Sequence, residues 1–165
     1  MKILVFSDSH RALSFMRDCI EKIRPDAIFH LGDHYGDGEN IRMEYPDISF
    51  YQVPGNCDIY SAPPFAREML IQRLGGVDFY LTHGHIHRVK QTLSALLRDA
   101  RACGCAAALY GHTHIPDCHQ EDDFLWVLNP GSCGHAAGSV GVIETENGEI
   151  VDCYLVGHEE LEDLA

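Results

Sequence analysis

The chain has 165 residues, 45% of them apolar and 22% charged, a size and balance that suit one soluble globular domain over residues 1–165. No apolar run approaches the roughly 20 residues of a membrane-spanning helix, and the start of the chain carries no export signal, so a cytoplasmic protein is expected. Twelve Lys and Arg against 25 Asp and Glu give a formal charge of −13, which argues against long nucleic acid and anionic membranes as partners. A phosphate handled by such a protein calls for positive charge from elsewhere, and a bound metal is the obvious source.

From the N-terminus onward, Lys2–Phe6 reads as a buried strand. Residues 11–24 read as a helix with Ala12, Met16, Cys19, Ile20 and Ile23 on one face, capped by Ser9 and ended by Pro25. Ala27–Leu31 is a strand, Glu39–Glu44 a short helix and Ser49–Val53 a third strand. Arg67–Leu74 and Val77–Leu81 flank Gly75-Gly76, a hairpin signal. Arg88–Cys103 follows as a helix with Gly104 beyond its end, then Ala106–Tyr110 as a buried strand. Phe124–Leu128, Ser139–Thr145 and Glu149–Val156 complete the strands, the last two joined around Asn147-Gly148. The order implies a two-layered or sandwiched sheet packed between helices. Glu159–Asp163 reads as a frayed acidic tail, and His119, His135 and His158 as surface residues.

Seven cysteines form no CxxC pair, and without an export signal most of them read as small buried apolar residues rather than disulfides. Histidine is more telling: of eleven, six gather at 83, 85, 87, 112, 114 and 119. Six apolar runs are each followed at once by a tight polar motif: Ser7-Asp8-Ser9-His10, Gly32-Asp33, Pro54-Gly55-Asn56-Cys57-Asp58, Thr82-His83-Gly84-His85, Gly111-His112-Thr113-His114 and Asn129-Pro130-Gly131-Ser132. Sites in open α/β sheets form beyond the carboxyl ends of strands. Parallel strands side by side would bring all six motifs to one rim, gathering carboxylates, an amide and imidazoles. That donor set suits Mn, Fe, Zn, Ni or Co better than Mg or Ca. Singly, each motif reads as well as a turn or a cap; the conjunction in this order carries the inference.

Five of these blocks, Asp8-x-His10, Gly32-Asp33, Gly55-Asn56-x-Asp58, His83-Gly84-His85 and Gly111-His112-x-His114, resemble those of the calcineurin-like metallophosphoesterase superfamily, and most closely its small YfcE-like phosphodiesterase group. The resemblance implies a four-layer α/β/β/α sandwich with two mixed sheets flanked by helices. It implies two divalent ions, manganese first, with nickel, cobalt, zinc or iron as alternatives. Asp8, His10, Asp33 and His114 would hold one ion and Asp33, Asn56, His83 and His112 the other, with hydroxide between the ions attacking phosphorus in line. His85 would be the catalytic residue beside them, and Asn56, Cys57 and His85 would contact substrate.

Many relatives carry His immediately after the Asn; here Cys57 stands there, a poor general acid, which predicts slow turnover except with good leaving groups. His30 reads as a buried, hydrogen-bonded histidine, and His34, Asp37 and Glu39 as a solvated loop beside Asp33. The expected activity is that of a metal-dependent phosphodiesterase acting on a small phosphodiester. A phosphomonoesterase or pyrophosphatase of the same superfamily and a non-catalytic scaffold of the same fold are the alternatives. A symmetric homodimer is the default among oligomers.

Overall fold

The computed structural model describes residues 1–134 and 138–163, so His135 lies outside the described residues. The chain runs β1 (Lys2–Phe6), α1 (Leu13–Ile23), β2 (Ala27–His30), α2 (Tyr35–Glu44), β3 (Ser49–Gln52), β4 (Met69–Leu74), β5 (Val77–Thr82), α3 (Ser94–Ala102), β6 (Ala107–Leu109), β7 (Asp117–Gln120), β8 (Trp126–Asn129), β9 (Ser139–Glu146), β10 (Glu149–Gly157) and α4 (His158–Asp163). One sheet has the order β10-β9-β1-β2-β3 and the other β4-β5-β6-β8-β7.

Both sheets are mixed. In the first, β1, β2 and β3 are parallel and β9 and β10 antiparallel. In the second, β5, β6 and β8 are parallel and β4 and β7 antiparallel. The six apolar runs thus form two parallel triplets in facing sheets rather than one continuous row. The sandwich itself, with helices outside, is the architecture the sequence implied.

Burial explains the layering. Central strands such as Lys-Ile-Leu-Val-Phe of β1 are apolar on both faces because both are covered. Ile3, Val5, Phe29, Phe79, Leu81, Leu109 and Leu128 fill the space between the sheets. The other face of β1, through Leu4 and Phe6, meets Phe15, Met16, Cys19, Ile20 and Ile23 of α1. On the far side, Leu96 and Ala100 of α3 pack against Tyr80, Ala108 and Val127. Each helix presents its apolar stripe to one sheet, and each sheet gives one face to a helix and one to its partner.

Both hairpin signals hold. Gly75-Gly76 has φ values of 56° and 83° and Asn147-Gly148 53° and 84°, so both central residues are left-handed, as a tight two-residue turn requires. Several boundaries differ from expectation. Ser9 does not cap α1 through its side chain; its hydroxyl bonds Asp37 Oδ2 at 2.7 Å, and Ala12 occupies the cap position. The periodic stretch read as a helix from Arg88 starts at Ser94, because Arg88 is left-handed at φ 53° and residues 88–93 turn first. Of the residues read as a solvated loop, Asp37 and Glu39 belong to α2, which begins at Tyr35 directly after His34, and Asp37 is buried there. The acidic tail is the helix α4, tied down by buried Leu161 and by the Lys22 ammonium on the Leu161 carbonyl at 2.8 Å. No helix among the described residues is long and apolar enough to cross a membrane.

Candidate metal centre

The carboxyl ends of the two parallel triplets face one another. From the first sheet come Asp8 and His10 after β1, Asp33 after β2 and Asn56 after β3; from the second come His83 and His85 after β5 and His112 and His114 after β6. Several hydrogen bonds join the two rims. The His112 amide donates to Asp8 Oδ2 at 3.0 Å, His83 Nδ1 meets the Leu31 carbonyl at 2.8 Å, and the Ser132 hydroxyl donates to the Asp8 carbonyl at 2.7 Å.

The backbone is strained where these side chains leave it. Asp8, His10, Asp33, His112 and His114 all lie in the left-handed region, with φ between 43° and 68°. Such conformations cost of order 1 kcal/mol or more each for non-glycine residues and gather at functional sites. Two glycines make room. A Cβ on Gly55 would collide with the Asp33 carboxylate, and one on Gly111 with Ser7 and Asp8.

Asp8, His10, Asp33 and His114 each offer a ligand atom, and these atoms lie within 4.8 Å of one another. Asp8 is fully buried, and its Oδ2 takes the Ser7 hydroxyl at 2.6 Å as well as the His112 amide. Its other oxygen, Oδ1, lies 3.0 Å from His114 Nε2 yet makes no hydrogen bond, and buried His10 Nε2 makes none either. Leaving such groups unsatisfied in a protein interior is costly, so they call for a partner.

His83 carries the same message. Its Nδ1 must donate to the Leu31 carbonyl, which can only accept, so in the neutral ring Nε2 presents a lone pair. That lone pair faces Asn56 Oδ1 at 3.1 Å, Asp33 Oδ1 at 3.5 Å and Asp8 Oδ1 at 3.9 Å. Acceptors converging on one another are stable around a cation. The His112 ring stands 5.0 Å from His83 and the His85 ring 5.5 Å, centroid to centroid, so both flank this group. The donor set, carboxylate and imidazole with one amide, fits a divalent transition metal.

Ionisation supports the fit. Burial and nearby His83 push His112 down to about 4, so it is a neutral imidazole at neutral pH, the form that ligates. Burial and His34 lower His10 as well. Burial works against the Asp33 charge, but His83 and the Cys57 amide, 2.9 Å from Oδ1, hold its carboxyl below the ordinary value. Burial and Asp33 push the Cys57 thiol up to about 11, so it keeps its proton.

His85 points Nε2 at Glu68 Oε1, 3.3 Å away, and its buried Nδ1 makes no hydrogen bond. Asp58 acts structurally, since its carboxylate takes the Tyr35 and Gly55 amides, both at 2.8 Å, and the Ser61 hydroxyl. His30 is buried as expected, with Nε2 3.1 Å from the Ser9 hydroxyl.

Sequence reasoning missed the residues that hold the donors. Ser7 and Ser132 position Asp8, and Asp37 binds the Ser9 hydroxyl and the Arg11 amide, each at 2.7 Å. Asn129 ties down the His112–His114 loop through the Gly111 carbonyl and the Thr113 hydroxyl. Ser7, Asn129 and Ser132 do lie in the strand-end motifs, but those motifs by themselves read as turns.

Residues 1–148 match the model of the calcineurin-like phosphoesterase superfamily domain. A probable metallophosphoesterase of Bacillus subtilis, YsnB, is 36% identical over 133 residues, covering 80% of this chain and 75% of the relative. The phosphodiesterase MJ0936 of Methanocaldococcus jannaschii is 26% identical over 167 residues, covering 90% and 96%. The crystal structure of Vps29 with Zn2+ from Entamoeba histolytica shares the fold at a TM-score of 0.71 and 19% identity, over 95% of this chain and 99% of that one. With its strand-end donors facing each other between two mixed sheets, the chain is a member of the calcineurin-like phosphoesterase superfamily, a metal-dependent family.

Proposed function

We propose that this chain is a phosphodiesterase that uses two divalent ions. Asp8, His10, Asp33 and His114 hold one ion; Asn56, His83 and His112 hold the second together with Asp33, which serves both. Manganese is the first choice, with nickel, cobalt, zinc or iron able to serve the same donors. The observation that supports this most is the convergence of donors: four ligand atoms within 4.8 Å, of which Asp8 Oδ1 and His10 Nε2 are buried without a hydrogen bond.

When bound, the ions supply Lewis acidity, which makes a water nucleophilic near neutral pH and takes up charge on the phosphoryl oxygens. The protein's own groups do the rest. Asn56 is neutral, which limits negative charge where an anionic substrate must approach. His85 stands beside the donors without being part of the 4.8 Å cluster, and Glu68 favours a proton on its Nε2. We assign His85 to the leaving oxygen. Cys57 keeps its proton far above neutral pH and Asp58 is occupied by backbone donors, so neither suits that role. Weak acid assistance favours esters with good leaving groups, such as aryl phosphodiesters. A depression lined by His34, Gly36, Asp37, Cys57, Asp58 and Ser61 lies next to the site and offers room for one ester arm.

The test is hydrolysis of matched aryl phosphodiester and phosphomonoester substrates by metal-stripped protein with Mn, Ni, Co, Zn or Mg restored. Activity that returns with metal and prefers the diester is expected. Preference for the monoester would replace the diesterase reading with a phosphomonoesterase, and inactivity with every metal would remove the enzymatic reading.

A further inference from the structure

One pair of side chains far from the strand-end motifs joins the two sheets at their edges. Cys118 lies on β7, the edge strand of one sheet, and Cys153 on β10, the edge strand of the other. Both side chains turn inward. Cys153 is 7% exposed and belongs to the core between the sheets, and partly buried Cys118 packs against that core. Their sulfurs are 3.5 Å apart, and Cys118 Sγ is 3.2 Å from the Cys153 carbonyl oxygen. A disulfide needs about 2.05 Å, so the two sulfurs have about 1.5 Å to close.

We propose that Cys118 and Cys153 are an oxidisable dithiol that a hydroperoxide converts into a disulfide between the two sheets. Cys118, the more exposed, attacks first. Its sulfur gives two electrons to the outer peroxide oxygen, the O–O bond breaks, and an alcohol (or water, from hydrogen peroxide) leaves. Cys118 is then a sulfenic acid. The Cys153 sulfur attacks the Cys118 sulfur, the S–O bond breaks, and water leaves with the Cys153 proton. Two thiols and one hydroperoxide thus give one disulfide, one alcohol and one water.

The order of attack agrees with the thiols' mutual influence. The hydrogen bond between the two thiols lowers Cys118, whereas that same bond and burial raise Cys153. The exposed thiols of Cys57 and Cys103 are internal controls, since exposure alone would favour them.

The cross-link closes a loop of roughly 35 residues and fastens β7, which begins just after the His112–His114 loop, to the opposite sheet. The melting temperature should therefore rise by about 10 °C on oxidation and return on reduction. The full chain, reduced and then exposed to stoichiometric hydrogen peroxide, is alkylated, cleaved at Arg and Glu, and mapped by mass spectrometry. Glu121 separates the two cysteines. The expected product joins the Cys118 and Cys153 peptides, is lost in both Cys118→Ser and Cys153→Ser, and survives Cys103→Ser. Oxidation confined to Cys57 and Cys103 with Cys118 and Cys153 still alkylated, or cross-links between other cysteines, would overturn the proposal. The map of the wild-type chain decides this even where a serine variant folds poorly.

Discussion

The two rims that face each other across the site are chemically unlike. The ends of β1, β2 and β3 bring oxygen: the Asp8 and Asp33 carboxylates and the Asn56 amide, with His10 the exception. The ends of β5 and β6 bring only nitrogen, from His83, His112 and His114. The oxygen rim carries the negative charge and is pinned by hydrogen bonds from Ser7, Cys57 and His112. The nitrogen rim is useful only when neutral, and burial keeps His112 so. Neither rim gathers the full donor set alone. The core between the sheets is what brings them to ligand distance, so packing and chemistry are coupled here.

That division of labour can be broken from either side. The largest effect should come from the oxygen rim. Asp33→Asn removes the carboxylate that lies among the four clustered donors and also faces His83, and kcat/KM on an aryl phosphodiester should fall by at least ~10³-fold, while His112→Ala should cost about 10²-fold. Equal losses in the two variants would erase the distinction between the rims.

The second effect is on stability under the oxygen rim. Burial lowers His30 from 6.5 to about 4. The unfolded chain therefore takes up this proton first as pH falls. The contribution is complete above about pH 6.5, is lost as pH drops toward 4, and amounts to about 3 kcal/mol. Denaturant unfolding of metal-free protein at pH 7 and at pH 4.5 measures it, and His30→Gln should show a smaller loss across that interval than wild type.

Close packing of the rims supplies the third effect and its control. Gly55→Ala forces a methyl group into the Asp33 carboxylate, and metal affinity should weaken by roughly 10–100-fold by calorimetric titration. Gly36 sits in α2 with nothing near its missing Cβ and an ordinary φ, so Gly36→Ala should instead stabilise the fold by ~0.5–1 kcal/mol.

The same contrast explains what the sequence made legible. Every candidate donor follows an apolar strand within a few residues, so the strand-end places of Asp8, Asp33, Asn56, His83, His112 and His114 can be read from local order, whereas their roles as ligands rest on the family resemblance. The residues that orient them cannot. Asp37 bonds Ser9 across 28 positions and Ser132 bonds Asp8 across 124, contacts that exist only once the sheets have formed. Edge strand β7 escaped because Asp117-Cys118-His119-Gln120 is polar and short, as unpaired edges tend to be. Helical periodicity over-ran at Arg88 because spacing records which residues are apolar but not the left-handed turn that precedes α3.

Metal stoichiometry is the most direct test of a site shared between two unlike rims. Protein stripped of metal, dialysed against Mn2+ and measured by elemental analysis should hold two ions per chain in wild type and fewer in both Asp33→Asn and His83→Ala. Retention of no ion by wild type, or the same ion content in both variants as in wild type, would contradict it.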